Sequence, residues 1–450
     1  MIFLEKISAL NHRVMKGLIL LFRGDFSTMN KRIRALLFKN ASPVFILEDI
    51  KPKIRLAGKL KLPTHSAPNS SKKVLVIDRN FKRFGSSISL SEIILPLHSQ
   101  LKDVGVELQL ACREIEGKLS NAYGKQFTLH GLKQFPRNMS LASKYETEVE
   151  SLALELSVFE PDVIYVNSVD MFPVIDAARI IGIPTIWNIR EAQNWRLRFS
   201  DRHPDIIARA LACFSYPESF VFVSEVSAQN WREFTATSQS HVIKTAIKPE
   251  AFENVSISQA KETRLRLGIP RDGIMLLTVG TLCMDKGQID AANAISRLPV
   301  DIRDKIHWVF IGNSDLSYVK KIKQEWPTRH AIKNLHLDGH IENCVPYYFA
   351  ANALVSCSKT EAMPRNILEG KLAGLPIISS NIPGSREALK FYENVVYYEL
   401  GDIDKLAAHI RKIPTKDYSL TTKQGIAQAS GEYQKMINEY FNVIKTLCYR

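Results

Sequence analysis

Short runs of β-branched and other apolar residues alternate along most of this chain with longer stretches whose apolar positions recur every three or four residues. The first run, VLVID at 74–78, passes through the loop RNFKRFGSS into SLSEIILPLHSQLKDVG, where leucine and isoleucine fall at helical spacing. The rhythm repeats: VELQLAC, a helix near 144–158, PDVIYVNS, the helix DMFPVIDAARIIG, IPTIWNIRE, a helical stretch near 203–217, FVFVSE and HVIKTAI. After a less regular connector around 247–269 it starts again with IMLLTVG, QIDAANAISRL, HWVFIG, a helix to about Trp326, NLHLDG, a short helix, ALVSCS, a helix from Pro364 and LPIISS. Alternation of this kind predicts parallel sheets covered by helices on both faces, here as two doubly wound units in tandem. Ligands of such folds sit beyond the carboxyl ends of the strands, so the cleft between the units is the expected site. Tyr433, Ile437, Phe441, Ile444 and Leu447 share one helical face near the end of the chain, which predicts a docking helix.

Ahead of the first strand the pattern changes. Ile7, Leu10, Val14, Leu18 and Leu21 recur at helical spacing, with Lys6, Arg13, Lys16 and Arg23 mostly elsewhere on the wheel, and KRIRALLFK follows at 31–39. LPTHSAPNSSKK at 62–73 has the Pro, Ser and Lys content of a linker. The expected divisions are a basic extension and linker at 1–73, a first α/β unit at 74–246, a second at 247–427 and the terminal helix at 428–450.

Composition adds little until charge is located. Of 450 residues, 60 are Lys or Arg and 46 Asp or Glu, for a net charge of +14. Residues 1–73 alone contribute fifteen basic and four acidic side chains, so the two α/β units are close to neutral. Two arrangements fit the extension: residues 1–40 lying on an anionic membrane surface, or a helix packed on the main body with its basic face solvated. Nucleic acid is not expected as a partner, because no recognition motif or aromatic interleaving accompanies the charge. The six cysteines form no CxxC pair and have no metal-ligand spacing with the histidines, the usage of a reducing compartment. No apolar run reaches the roughly 18 residues that span a bilayer. The expected location is therefore cytoplasmic, or peripheral at the inner membrane face.

Several familiar chemistries are missing. The loop after the first strand has Gly85 but no GxGxxG, and VGTLCMDKGQ at 279–288 lacks the glycine before Lys286 and the Ser or Thr after it that a phosphate-binding P-loop needs. Asp402 and Asp404 form a DxD at a helix start, where carboxylates cap free amides. The informative stretch runs from Ser356 to Leu389. A strand ends at Ser358, Glu361 lies in the turn, Pro364 suits the first helical position, and Gly374 falls just past the helix end. The free amides of Arg365 and Asn366 then face the cleft, a natural seat for a pyrophosphate, with the Arg365 side chain adding charge. Glu361 and Glu369, one before the helix and one more than a turn inside it, suit two sets of hydroxyls on either side of a bound diphosphate.

The Glu-x7-Glu element, VGTLCMDKGQ, the VFIG strand, NLHLDGHIENCVPYYFAANALVSCSKTE and GLPIISSNIPGSRE together resemble the donor half of the GT-B glycosyltransferases of family 4. The likeness extends through PDVIYVNS, GIPTIWNIRE and FVFVSE, covering residues 74–412. It implies two tandem Rossmann-like domains and a retaining, metal-independent transfer of a sugar from a nucleoside diphosphate to an acceptor hydroxyl. No cofactor or metal is then expected, the donor being a nucleotide sugar and the acceptor a lipid-linked or polysaccharide hydroxyl. Carried over, Glu369 would hold the ribose hydroxyls, Glu361 the donor sugar, and Lys286 the leaving diphosphate, with Gly280, Thr281, Arg365 and Asn366 beside the donor. Gly85 and Ser86 fall where the family closes a glycine-containing loop over donor and acceptor. Three departures stand out: Thr281 replaces a common arginine, Arg190 and Glu191 replace a histidine followed by an acid, and Thr245 with Ala246 replaces an NG pair. Thr281 and Arg190 motivate an alternative reading, a catalytically silent protein that binds a nucleotide sugar or scaffolds a polysaccharide assembly complex.

Overall fold

The computed structural model describes residues 71–82, 85–136, 142–236, 238–326, 334–414 and 423–450. The amphipathic basic segment expected at 1–40 lies outside these. Two wholly parallel sheets organise the chain. The first contains β1 (Lys72–Asn80), β2 (Val106–Glu114), β3 (Leu129–Gly131), β4 (Val163–Asn167), β5 (Thr185–Ile189), β6 (Ser219–Phe222) and β7 (Gln239–Val242), in the order β3-β2-β1-β4-β5-β6-β7. The second contains β8 (Ile274–Val279), β9 (Ile306–Ile311), β10 (Leu335–Leu337), β11 (Ala353–Ser356), β12 (Ile377–Ser380) and β13 (Val395–Tyr398), in the order β10-β9-β8-β11-β12-β13. Each sheet reverses its winding between its first and fourth strands, and there the helices on either side diverge and leave a crevice.

The continuous apolar runs became central strands because both faces are covered: β4, β5 and β9 are buried at every position. The helices that bear on the site are α1 (Gly85–Lys102), α2 (Glu225–Thr235), α3 (Ile257–Arg266), α4 (Val345–Ala350), α5 (Arg365–Leu372), α6 (Pro383–Ala388), α7 (Ile403–Arg411) and α8 (Lys423–Cys448). Several elements differ from expectation. The connector contains α3, whose start is fixed by a capping box between Ser256 and Gln259. HVIKTAI is strand only as far as Val242, and its Ile243 and Ala246 bury in the cluster that also holds Met436, Ile437 and Tyr440 of α8. The terminal helix already runs from Lys423, ahead of the expected start at 428.

α8 ties the two units together. Its first turns carry Ile426 and Ala429 against the second unit's core, while Tyr433 to Cys448 complete the first unit's core beside α1 and β1. Two carboxylates also cross between units. Glu387 on α6 accepts from the backbone N–H groups of Glu225 (3.0 Å) and Val226 (3.1 Å), seating an anion on the N-terminus of α2, and lies 3.1 Å from Lys244 Nζ. Glu92 on α1 pairs with Arg365 at the head of α5.

Candidate active site

The residues singled out in the second unit converge at the carboxyl ends of β8 and β11. Past β8 the chain runs through Gly280, whose amide donates to Ile311 O at 2.8 Å, and Thr281, whose carbonyl accepts from Gln288 Nε2 at 3.0 Å, into a tight turn Met284–Lys286. Gly287 closes that turn at φ +62° with its Cα against β11's end: a Cβ there would lie 2.3 Å from Cys357 O. This approach places Lys286 beside Glu361, whose Oε1 accepts from Lys286 Nζ and from Ser358 Oγ (2.8 Å). Burial opposes the ammonium charge, but the Glu361 carboxylate outweighs it and holds Lys286 above the ordinary lysine pKa. Lys286 therefore stays cationic at neutral pH.

Pro364 is the N-cap of α5, one residue earlier than the first helical position expected. The amides of Arg365 and Asn366 open the helix, where no preceding turn can accept from them. Asn366 uses its side chain structurally: Nδ2 donates to Val279 O (3.0 Å) and Oδ1 accepts from the Ile367 amide (3.0 Å), which pins the helix start to the end of β8. Glu369 is 8 % exposed, and its two oxygens are held separately, Oε1 by Arg365 Nε (2.7 Å) and Oε2 by Tyr348 Oη (2.6 Å). Burial, then the Glu369 charge, push the Tyr348 hydroxyl well above its usual pKa, so it remains a donor.

Arg365 departs from the expectation of a guanidinium free for phosphate. Its Nη1 and Nη2 donate to Glu92 at 2.5 and 2.7 Å, while Nε is taken by Glu369. Burial works against its charge, but the two carboxylates more than compensate and raise its pKa. Gly85 and Ser86 lie in the exposed first turn of α1, a helix where a loop was expected. In those first turns Ser89 Oγ back-bonds to Gly85 O (2.9 Å) and Ser87 Oγ donates to Asn80 O (3.2 Å).

Arg190 belongs to a second cluster, in the first unit. Asp78, Asn167 and Asn188 follow one another across β1, β4 and β5 on the face that α1 and α8 cover. Asn167 Nδ2 donates to Asp78 Oδ1 (2.9 Å), and Asn188 Nδ2 to Asn167 Oδ1 (3.1 Å). Burial raises the Asp78 pKa, and the positive charge of Arg190 works against that rise. Glu191 is committed elsewhere, accepting from Ser168 Oγ (2.8 Å) and the amides of Val169 and Arg190. Sequence reasoning missed Asp78, Glu92 and Tyr348. Asp78 had a signal, an acid closing an otherwise apolar strand, whereas Glu92 and Tyr348 read as ordinary helix residues. Of the DxD pair, Asp402 caps α7 by accepting from the Lys405 amide (2.9 Å) and Asp404 pairs with Arg297.

Residues 259–428 match the family Glycosyl transferases group 1, and the two-sheet architecture is GT-B. That match takes in most of the second unit, including Lys286, Glu361 and Glu369. More particularly, the chain is 23 % identical over 199 residues to the capsular polysaccharide biosynthesis glycosyltransferase CapH of Staphylococcus aureus, covering 44 % of this chain and 52 % of that protein. The alignment spans about half the length of that curated relative. Among solved structures, Anabaena HepE in complex with UDP and glucose superposes with a TM-score of 0.64 at 16 % identity, over 83 % of this chain and all of that one. Sucrose-phosphate synthase from Thermosynechococcus elongatus gives 0.65 at 15 % identity, over 84 % and 99 %. At these identities the structural likeness speaks for the fold.

Proposed function

We propose that this protein is a family 4 glycosyltransferase that moves a sugar from a nucleoside-diphosphate sugar to an acceptor hydroxyl, with retention and without a metal. One observation carries the reading: Glu361 precedes the opening turn of α5 and Glu369 lies just over a turn inside it, the first paired with Lys286 and the second held by Tyr348 and Arg365. A diphosphate seated on the α5 amides would put its ribose hydroxyls at Glu369 and its sugar at Glu361. Breaking the anomeric C–O bond moves negative charge onto the phosphate, and the Lys286 ammonium stabilises it there. In front-face chemistry the departing phosphate oxygen can take the acceptor's proton, so no side-chain nucleophile is needed. Arg190, at the cleft end of β5, would bear on the acceptor, proposed as a lipid-linked or polysaccharide hydroxyl in surface polysaccharide synthesis. The name of the CapH relative supports that setting. The basic segment at 1–40 would then hold the protein on the inner membrane face; among the described residues no helix is long and apolar enough to cross a membrane.

The experiment is a thermal-shift panel of nucleotide sugars on the wild type, Glu369→Gln and Lys286→Met. Stabilisation by one donor, lost in both variants, is expected; a panel without any shift refutes the donor site. Thr281, together with the engagement of Arg365 by two carboxylates, favours the alternative of a binding protein without turnover. Release of nucleoside diphosphate in the presence of a matching acceptor excludes that alternative.

A further inference from the structure

Glu369 is held by one group that cannot move and one that can. Tyr348 is fully buried within the second unit, so its hydroxyl is fixed by packing. Arg365 is a long side chain whose direction depends on what its outer edge meets, and that edge meets the other unit. Glu92 of α1 receives both terminal nitrogens in a fork of 2.5 and 2.7 Å, while Nε on the inner edge reaches Glu369 at 2.7 Å. The planar guanidinium makes the two contacts geometrically dependent: seating one edge orients the other. All three side chains are 11–18 % exposed, so screening is weak. Glu92 is itself anchored, its carbonyl accepting from the Tyr433 hydroxyl of α8 at 2.6 Å.

We propose that Glu92 is a positioning residue for nucleotide recognition, acting across the cleft through Arg365 to aim the Glu369 carboxylate at the ribose diol. Ribose recognition is then complete only with the two units closed, and a bound ribose favours closure by the same factor. The idea rests on the assignment of Glu369 to ribose and is separable from it. With Glu92 neutralised, the outer edge of Arg365 loses a charged partner and its two terminal nitrogens compete for Glu369 or phosphate, so the carboxylate no longer has one orientation.

Titration calorimetry on the full chain with UDP, ADP and GDP, and with the 2′,3′-dideoxy counterpart of whichever binds, tests this. Glu92→Gln, which keeps the side chain's shape, is expected to weaken the ribonucleotide about 5- to 150-fold, the usual span of coupling between sites. It should leave the dideoxy compound within about twofold. In an Arg365→Lys background, where the fork is gone, Glu92→Gln should add nothing further. Equal weakening of both ligands, or of neither, overturns the role of Glu92. Failure of the wild type to bind any of the three diphosphates overturns the donor site, and this proposal with it. Equal affinity of the wild type for ribo and dideoxy forms overturns the assignment of Glu369. If Glu92→Gln does not fold, Arg365→Lys alone answers, since the same ribose-selective loss is expected and a non-selective one refutes.

Discussion

Replacing Gly287 with alanine tests whether the close approach between the two loops builds the site. Two costs combine. An L-residue at φ +62° is disfavoured by about 1–2 kcal/mol. The new Cβ, 2.3 Å from Cys357 O, forces backbone to move, at about 1–3 kcal/mol by analogy with overpacked cores. Gly268 supplies the control: its φ is +64°, but a Cβ there meets nothing within 4 Å, so Gly268→Ala incurs the first cost alone. The difference between the two variants is the second term, about 1–3 kcal/mol, or roughly 2–12 °C in the melting of a domain of this size. Calorimetric scans read that difference directly. Repeating them with a bound nucleotide sugar reads the functional consequence, because the displaced turn carries Lys286 away from Glu361 while Gly268 sits before the amino end of β8. Gly287→Ala should lose most of the ligand-induced shift and Gly268→Ala should keep it. Two variants that melt together and respond equally to ligand would refute the reasoning.

Two further outcomes are expected. Lys286→Met should lower turnover by about 10²- to 10³-fold, as the removal of a donor to developing oxyanion charge does. Its stability should fall by only about 1–3 kcal/mol, the cost of leaving Glu361, 15 % exposed, with Ser358 as donor; a loss of activity matched by a collapse in stability would make the residue structural. Asp78 has its folded-state pKa raised by burial, so the stability it confers falls as pH rises from the unfolded carboxyl value through the folded one. Asp78→Asn, neutral throughout, should melt above the wild type at pH 8 and approach it near pH 4, and an advantage that grows with acidity would contradict this.

The central strands were legible because burial on both faces writes itself as unbroken apolar runs. The edges were not: β3 is three half-buried residues, and β13 is exposed or half-buried except at Tyr398. In α3 only Ala260, Thr263 and Arg264 are buried, so no apolar stripe announces it and its capping box was the available signal. HVIKTAI misled because Ile243 and Ala246 are apolar to meet α8, nearly two hundred residues away in sequence, rather than a neighbouring strand. A still longer separation, 273 residues from Arg365, hid Glu92. Glu361 and Glu369 drew attention by their spacing around one helix start, which is local, and Lys286, 75 residues before Glu361, only through the family resemblance, whereas the partner of Arg365 is fixed only by the packing of one unit on the other.

The helix that spans both units reverses the order in which the protein can be finished. The first sheet is synthesised early, yet Tyr433, Ile437, Tyr440 and Ile444, about two hundred residues beyond β7, are part of its interior. Until those turns emerge, the early half carries an open apolar seam along α1 and β1, exposed to chaperones and to neighbouring nascent chains. The second unit needs only the first turns of α8, through Ile426 and Ala429, which are translated before the turns that seal the first, so it can be completed ahead of the unit that precedes it.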